Sequence, residues 1–262
     1  MSGDKQLEGK MALVTGASKG IGKGIAVALA QAGCDVGVNY FSDLKGAEQT
    51  ASEVRAMGRK TAIYKCNVAI RAEVEEMFKQ YSVDFSRLDI LVNNAGITLW
   101  SPLLEMTDDI WDKVIGINLK GPFLCTQQAG RIMRNQKKGR IINIGSGAGR
   151  IPFLKGSAYN ASKAGLNLFT ATSAVELGPL GITVNCVAPG AVEIERTKLE
   201  ADDYSGTWGP ITPTRRVGQP PDVASAVLFF ARDDADFTTG QVLQVDGGLW
   251  IQGPWPYSDE KQ

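Results

Sequence analysis

The sequence contains no histidine. That absence removes a Ser-His-Asp triad and any histidine-ligated zinc site at once. Acid–base chemistry, if the chain performs any, then falls to Tyr, Lys, Asp, Glu or Cys. Cysteine is scarce, at four residues. Cys34, Cys66, Cys125 and Cys186 are widely spaced, form no Cys-x-x-Cys, and lie in or beside apolar runs. They read as small buried hydrophobes, with no metal site and no call for an oxidising compartment. Net charge is lacking too, because 28 Lys and Arg balance 28 Asp and Glu. No basic excess points to nucleic acid. The cluster Arg131, Arg134, Lys137, Lys138 and Arg140 is short and reads as the solvated end of a helix, where positive charge suits the dipole. No apolar run reaches the roughly 18 residues a membrane span needs. The first ten residues are polar and hold no apolar signal core. The expected compartment is the cytoplasm, with neither a membrane nor a nucleic-acid partner.

What is present is alternation. A chain of 262 residues suits one large α/β domain and can bury a full core while leaving a pocket. Short apolar runs at 11–14, 36–39, 62–64, 89–92, 141–144, 183–187 and 242–245 read as strands. Between them, helical spacing covers 21–32, 46–57, 73–81, 108–133, 157–177 and 222–231. Such alternation predicts a single-domain, doubly wound parallel sheet of the Rossmann-like kind, about seven strands with helices on both faces. No internal repeat or dividing linker interrupts it. Residues 191–219 lack a clear period and are expected to form a lid over substrate. Residues 249–262 form a tail.

Glycine is plentiful, at 30 residues, and three of them fall in Thr15-Gly16-Ala17-Ser18-Lys19-Gly20-Ile21-Gly22. This stretch links the first strand to the first helix. Glycine lets a backbone turn sharply and approach a diphosphate, and the helix N-terminus offers free N–H groups and a positive dipole end. Further along come Asn93-Asn94-Ala95-Gly96, Asn118, Ser146, Tyr159-x-x-x-Lys163, Pro189-Gly190 and Asp246-Gly247-Gly248, in that order. With these motifs the chain resembles the short-chain dehydrogenase/reductases over about residues 7 to 250. The resemblance implies a nicotinamide dinucleotide held by Gly16, Ser18, Lys19, Gly20, Ile21 and Gly22. Asn39, Tyr40, Ser42, Asn67, Val68, Asn94, Ala95 and Gly96 would continue that site, and Tyr159, Lys163, Pro189, Gly190 and Val192 would complete it.

An acid at the end of the second strand would grip the ribose hydroxyls of NAD. This chain has Asn39 there, which does not repel a 2′-phosphate, with Ser42 as a donor and Lys19 nearby. The reading is NADP in preference to NAD, although no arginine follows Asn39 and Asp43 is close. Asn67-Val68 stands where the family commonly has Asp-Val against adenine, and an amide carbonyl can accept the same bond.

Hydride transfer to a carbonyl leaves negative charge on oxygen, which needs a proton donor. Tyrosine alone is a weak one, with a pKa of about 10, and a neighbouring lysine favours the phenolate. Tyr159 and Lys163 are spaced to share a helical face. By resemblance Tyr159 is the acid in reduction and the base in oxidation, Lys163 supports it and holds the nicotinamide ribose, and Ser146 bonds the substrate oxygen. Asn118 would hold a water that relays protons. Thr197 resembles, at longer spacing than usual, the threonine that contacts the carboxamide.

The expected partner is a small carbonyl or alcohol substrate: a ketone, an aldehyde, or a sugar or polyol. A 3-ketoacyl-thioester reductase acting on acyl carrier protein is the alternative, although Gly178-Pro179-Leu180-Gly181 carries no charge to meet an acidic carrier. A dinucleotide-binding regulator without turnover, or a structural subunit, would predict erosion of the catalytic set, and all four members are present. Tyr204 and Trp208 in the lid could serve substrate or simply a mobile acidic loop. Trp250, Trp255 and Tyr257 read as interface more than substrate contacts. The long helices resemble those that pair between subunits, so a homotetramer is expected.

Overall fold

The structure, a computed structural model, describes residues 6–200 and 202–251, with backbone only at 198–200. One parallel sheet of seven strands organises it, in the order β3-β2-β1-β4-β5-β6-β7. The strands are β1 (Met11–Val14), β2 (Asp35–Tyr40), β3 (Thr61–Lys65), β4 (Ile90–Asn93), β5 (Gly139–Ile144), β6 (Ile182–Pro189) and β7 (Val242–Val245). Helices α1 (Gly20–Gln31), α2 (Leu44–Ala56), α3 (Arg71–Asp84), α4 (Asp108–Ile115), α5 (Gly121–Gln136), α6 (Ser157–Leu177) and α9 (Pro220–Ala231) cover its faces. Two short helices, α7 (Glu195–Glu200) and α8 (Tyr204–Trp208), lie between β6 and α9. Among the described residues no helix is long and apolar enough to cross a membrane.

A parallel sheet is buried on both faces, so its central strands are apolar throughout and successive residues serve opposite cores. Ala12 and Val14 face a cluster with Ile25 and Leu29 of α1, Val54 of α2 and Phe230 of α9. Leu13, between them, faces Phe78 of α3, Leu124 of α5 and Ala174 of α6. The same alternation sends Ile90 and Val92 one way and Leu91 the other. Strand order reverses between β1 and β4, and a crevice opens beyond the carboxyl ends of strands at such a switch point.

Four expectations change here. The helix predicted over 108–133 is interrupted by a π turn at Gly116–Lys120, between α4 and α5. Pro122 gives one physical reason: it has no N–H to offer the carbonyl four residues back, Asn118, so an unbroken α-helical ladder cannot run through. Arg140 is not part of a solvated helix end. It lies on β5, buried, with its guanidinium donating to the carbonyls of Gly139, Arg232 and Asp233. Residues 191–219 are not irregular throughout, since they hold α7 and α8, and a bridge between Val192 and Gly218 closes the segment at its base. Of the tail, Trp255 and Tyr257 lie outside the described residues, whereas Trp250 is placed and packs inward, as described below. All four cysteines are free and buried, as the sequence suggested.

Candidate active site

The glycine turn is held in shape by hydrogen-bonding side chains around it. Gly16 has φ +62°, and a Cβ there would come within 2.8 Å of the Ala95 Cα, so both conformation and space demand glycine. The Thr15 hydroxyl accepts from the backbone N–H of Asn94 and of Ala95. The Asn94 amide donates to the carbonyls of Thr15 and Gly16. The end of β4 and the turn after β1 are thereby stitched together. Lys19 precedes α1 without a side-chain cap, and α1 has no acid in its first turn, which leaves the helix N-terminus suited to an anion.

Asn39 completes the same frame. The residue borders the cleft but is only 1% exposed. Its Oδ1 accepts from Gly16 N–H at 3.1 Å, and its Nδ2 donates to the carbonyls of Tyr40, Tyr64 and Cys66 at 3.1–3.2 Å. The amide is fully committed between β2, β3 and the glycine turn. Side chains left to meet a cofactor at this end are Tyr40, Phe41 and Ser42, with Lys19. Asp43 is engaged as well: it caps α2 by accepting from Gly46 N–H and pairs with Lys19 at 3.5 Å. Asn67 uses its Oδ1 to accept from Ala69 N–H, an Asx turn that still leaves a lone pair.

A cleft of about 420 Å³ runs from this turn across the carboxyl ends of β1, β4 and β5. Gly16, Ser18 through Gly22, Asn67, Val68, Asn94, Ala95 and Gly96 line one end, and Ser146, Tyr159, Lys163, Pro189, Gly190 and Val192 line the other. Asn118 does not reach it. That side chain is fully buried, its Oδ1 accepting from Ile97 N–H and its Nδ2 donating to the Ile97 carbonyl and the Ser162 hydroxyl. The amide therefore fixes the loop after Gly96, and only the backbone carbonyl, lacking an α-helical partner at Pro122, is left to bind water. Thr197 lines the cleft too, yet its hydroxyl accepts from Ile194 N–H and donates back to the same loop. Its spacing is longer than that of the threonine it resembles, and its bonds make it a turn lock.

Ser146 follows β5, and its hydroxyl accepts from Ala148 N–H at 3.1 Å. Tyr159 lies in the first turns of α6, and the Lys163 Nζ sits 5.8 Å from the centre of its ring. Lys163 is buried and donates to the Ile144 carbonyl at 2.8 Å, so the cation is aimed at one place. Sequence reasoning missed the residue that joins these pieces. The Asn160 amide donates to the carbonyls of Ala148 and Ile151 and accepts from Phe153 N–H, which pins the loop after Ser146 onto α6. Beneath, Asn93, Thr126, Asn143 and Thr170 form a buried hydrogen-bonded row that links β4 and β5 to α5 and α6. The cleft also takes in Ile97, Thr98, Ile117, Ile194 and Arg196, which no motif announced.

Sheet order, glycine turn and cleft define a Rossmann-type dinucleotide-binding oxidoreductase. Comparison with known proteins agrees. The family described as enoyl-(acyl carrier protein) reductase matches residues 16–250. The 3-oxoacyl-(acyl-carrier-protein) reductase FabG of Staphylococcus epidermidis is 42% identical, over 92% of this chain and 99% of its own length. A 3-oxoacyl-(acyl-carrier-protein) reductase of Synechocystis is 44% identical, over 93% and 98%. Among solved structures, acetoin dehydrogenase from Enterobacter cloacae superposes with a TM-score of 0.87 at 37% identity, covering 95% of this chain and 98% of that one. A short-chain type dehydrogenase/reductase from Mycobacterium marinum gives 0.90 at 34% identity, over 95% and 98%. The chain belongs to the short-chain dehydrogenase/reductase family and is an NAD(P)-dependent oxidoreductase.

Proposed function

We propose that the chain reduces a carbonyl to a secondary or primary alcohol, or runs the reverse, with NADP(H) as its hydride partner. The observation that carries this reading is the gathering of Ser146, Tyr159 and Lys163 at the end of a cleft whose other end is the glycine turn. When bound, the nicotinamide supplies the hydride that the carbonyl carbon receives. The protein's own work concerns the oxygen. The Tyr159 hydroxyl gives its proton to that oxygen as negative charge builds there, and the Ser146 hydroxyl donates a second hydrogen bond to it. The phenolate left on Tyr159 faces the Lys163 cation, which stabilises it. A water on the Asn118 backbone carbonyl would carry the next proton in by way of Lys163. Oxidation runs the same steps backwards, with the phenolate as base.

The preference for NADP rests on what stands after β2. No carboxylate is free there to repel a 2′-phosphate, because Asp43 caps α2 and pairs with Lys19. The Ser42 hydroxyl lines the cleft there, and the Lys19 amine, paired with Asp43 at 3.5 Å, stands at the same end. A kcat/KM ratio for NADP over NAD below one would overturn this preference.

A second reading is favoured by the names of two relatives: reduction of a 3-oxoacyl thioester. The uncharged turn Gly178–Leu180 argues against docking an acidic carrier at that point. We also propose a homotetramer. Two separate apolar faces are exposed, one with Leu168 and Val175 on α6 and one with Phe237 beside the edge strand β7. At least two kinds of isologous interface are what a tetramer with three crossed two-fold axes requires. Residues 191–219 act as the lid over substrate.

The test is cofactor absorbance over ketones, aldehydes, keto-sugars and an acetoacetyl thioester, with NADPH and NADH, beside Tyr159→Phe. The variant should bind NADPH like the parent and lose about a hundredfold or more in turnover. Near-normal turnover in Tyr159→Phe would remove the tyrosine from its role.

A further inference from the structure

A wall of aromatic rings from four separate segments stands beside Tyr159 and the turn after Ser146. Trp100 follows β4 and stands 6.0 Å, ring centre to ring centre, from Tyr159. Phe153, in the loop before α6, lies 6.5 Å from Trp100 and 5.2 Å from Trp250. Trp208 of α8 reaches Trp250 at 6.1 Å. Edge-to-face and tilted pairs at these separations are favourable arrangements, so the rings support one another.

Other residues have been shaped to seat this wall. Gly147, next to Ser146, leaves the space that the Trp250 indole fills, since a Cβ there would meet Nε1 at 2.0 Å. Gly156 does the same for Trp100, at 3.0 Å from Cζ3. The Asp246 carboxylate accepts from Trp250 N–H at 3.0 Å and from Gly248 N–H at 2.8 Å, which holds the chain as it turns back over the site. One indole thus overhangs the Ser146 turn and the other abuts the Tyr159 ring. Trp100 is nevertheless 48% exposed, which leaves apolar face for a ligand to cover.

Resting on the reading of Tyr159 as proton donor, we infer that Trp100, Phe153 and Trp250 select a carbonyl that carries a planar apolar group, as in an aryl ketone or aryl diketone. An aryl group beside the carbonyl can stack on these rings while its oxygen meets Ser146 and Tyr159. A sugar ring could lie on an indole too, but each hydroxyl it buried would need a partner, and these rings offer only indole N–H groups, of which that of Trp250 is already buried over Gly147. A linear thioester would leave the ring faces uncovered.

The test compares benzil and acetophenone with fructose and acetoacetyl-N-acetylcysteamine, all with NADPH, in the parent and in Trp100→Ala, Phe153→Ala, Trp250→Ala and Trp250→Phe. The parent should favour an aryl substrate by at least about tenfold in kcat/KM. The alanine variants should lose about tenfold for aryl substrates, through KM, and distinctly less for fructose and the thioester. Trp250→Phe should keep the aryl preference. A second readout needs no turnover: acetophenone should quench tryptophan fluorescence of the NADPH-bound protein, with a Kd weakened about tenfold in Trp100→Ala. The inference is overturned if the parent favours fructose or the thioester, if the alanine variants slow all substrates alike, or if acetophenone fails to quench. A failure of the catalytic reading looks different, since aryl binding would persist with turnover indifferent to Tyr159→Phe.

Discussion

Exchange of Asn39 for aspartate separates a cofactor contact from a structural lock. Aspartate at this position is what an NAD-preferring enzyme would use to grip a ribose, so a contact role predicts a switch of preference. The structure predicts collapse of stability instead. Aspartate keeps the bond from Gly16 N–H but places an oxygen where Nδ2 now faces the carbonyls of Tyr40, Tyr64 and Cys66. Three bonds worth about 1 kcal/mol each disappear, and lone pairs are left against lone pairs, for a total of about 3–5 kcal/mol. For a chain of this size that lowers Tm by about 10 °C. Thermal unfolding followed by circular dichroism, together with kcat/KM for NADPH and NADH, decides the matter. An Asn39→Asp protein that melts with the parent and prefers NADH would refute the reasoning, because its side chain would have to face the cofactor.

Alkali offers another perturbation. Burial pushes the thiols of Cys34 and Cys66 from 9.0 up to about 12 and that of Cys186 up to about 11, and raises Cys125, Tyr64 and Tyr81 as well. The folded chain then holds protons that the unfolded chain releases, so stability is full below the unfolded value near 9.0 and falls as pH rises toward the folded values. Urea midpoints should drop steadily across that range, and a midpoint flat to pH 11 would contradict the burial argument. Below it, the folded thiols should resist alkylation until denaturant is added. For the assembly, light scattering at micromolar concentration should give four times the mass of the chain, and a monomeric mass would exclude the homotetramer.

How much of this was legible in the sequence depended on whether the deciding contact was local. The bounds of β1, α6 and β7 coincide with the sequence reading, because apolar runs and the Gly178-Pro179 stop mark them directly. The cleft was legible because its motifs sit at strand ends, and parallel topology brings all strand ends to one side. The bonds of the Asn39 amide were not legible because two of its partners are carbonyls at and just after the end of β3, far along the chain, which no local pattern reports. Arg140 was grouped with a helix end by proximity in sequence, while the strand that buries it begins at Gly139. Asn118 follows the family order and Thr197 resembles a family threonine at longer spacing, but neither order nor spacing says whether a side chain is already bonded. Trp250 read as an interface residue because the gap at Gly147 exists only once the chain is folded.

The π turn before α5 has a consequence for the whole outer layer. Buried positions Val114, Asn118, Pro122, Thr126, Ala129 and Met133 step by four more often than a helix of 3.6 residues per turn permits. The turn absorbs that surplus as a single added residue. Without it, everything downstream would swing by about 100° around the helix axis, and Met133 would leave the core. The stretch therefore behaves like a watch gear with one extra tooth, in which a local irregularity beside the cleft sets the phase of a helix that ends more than a dozen residues away.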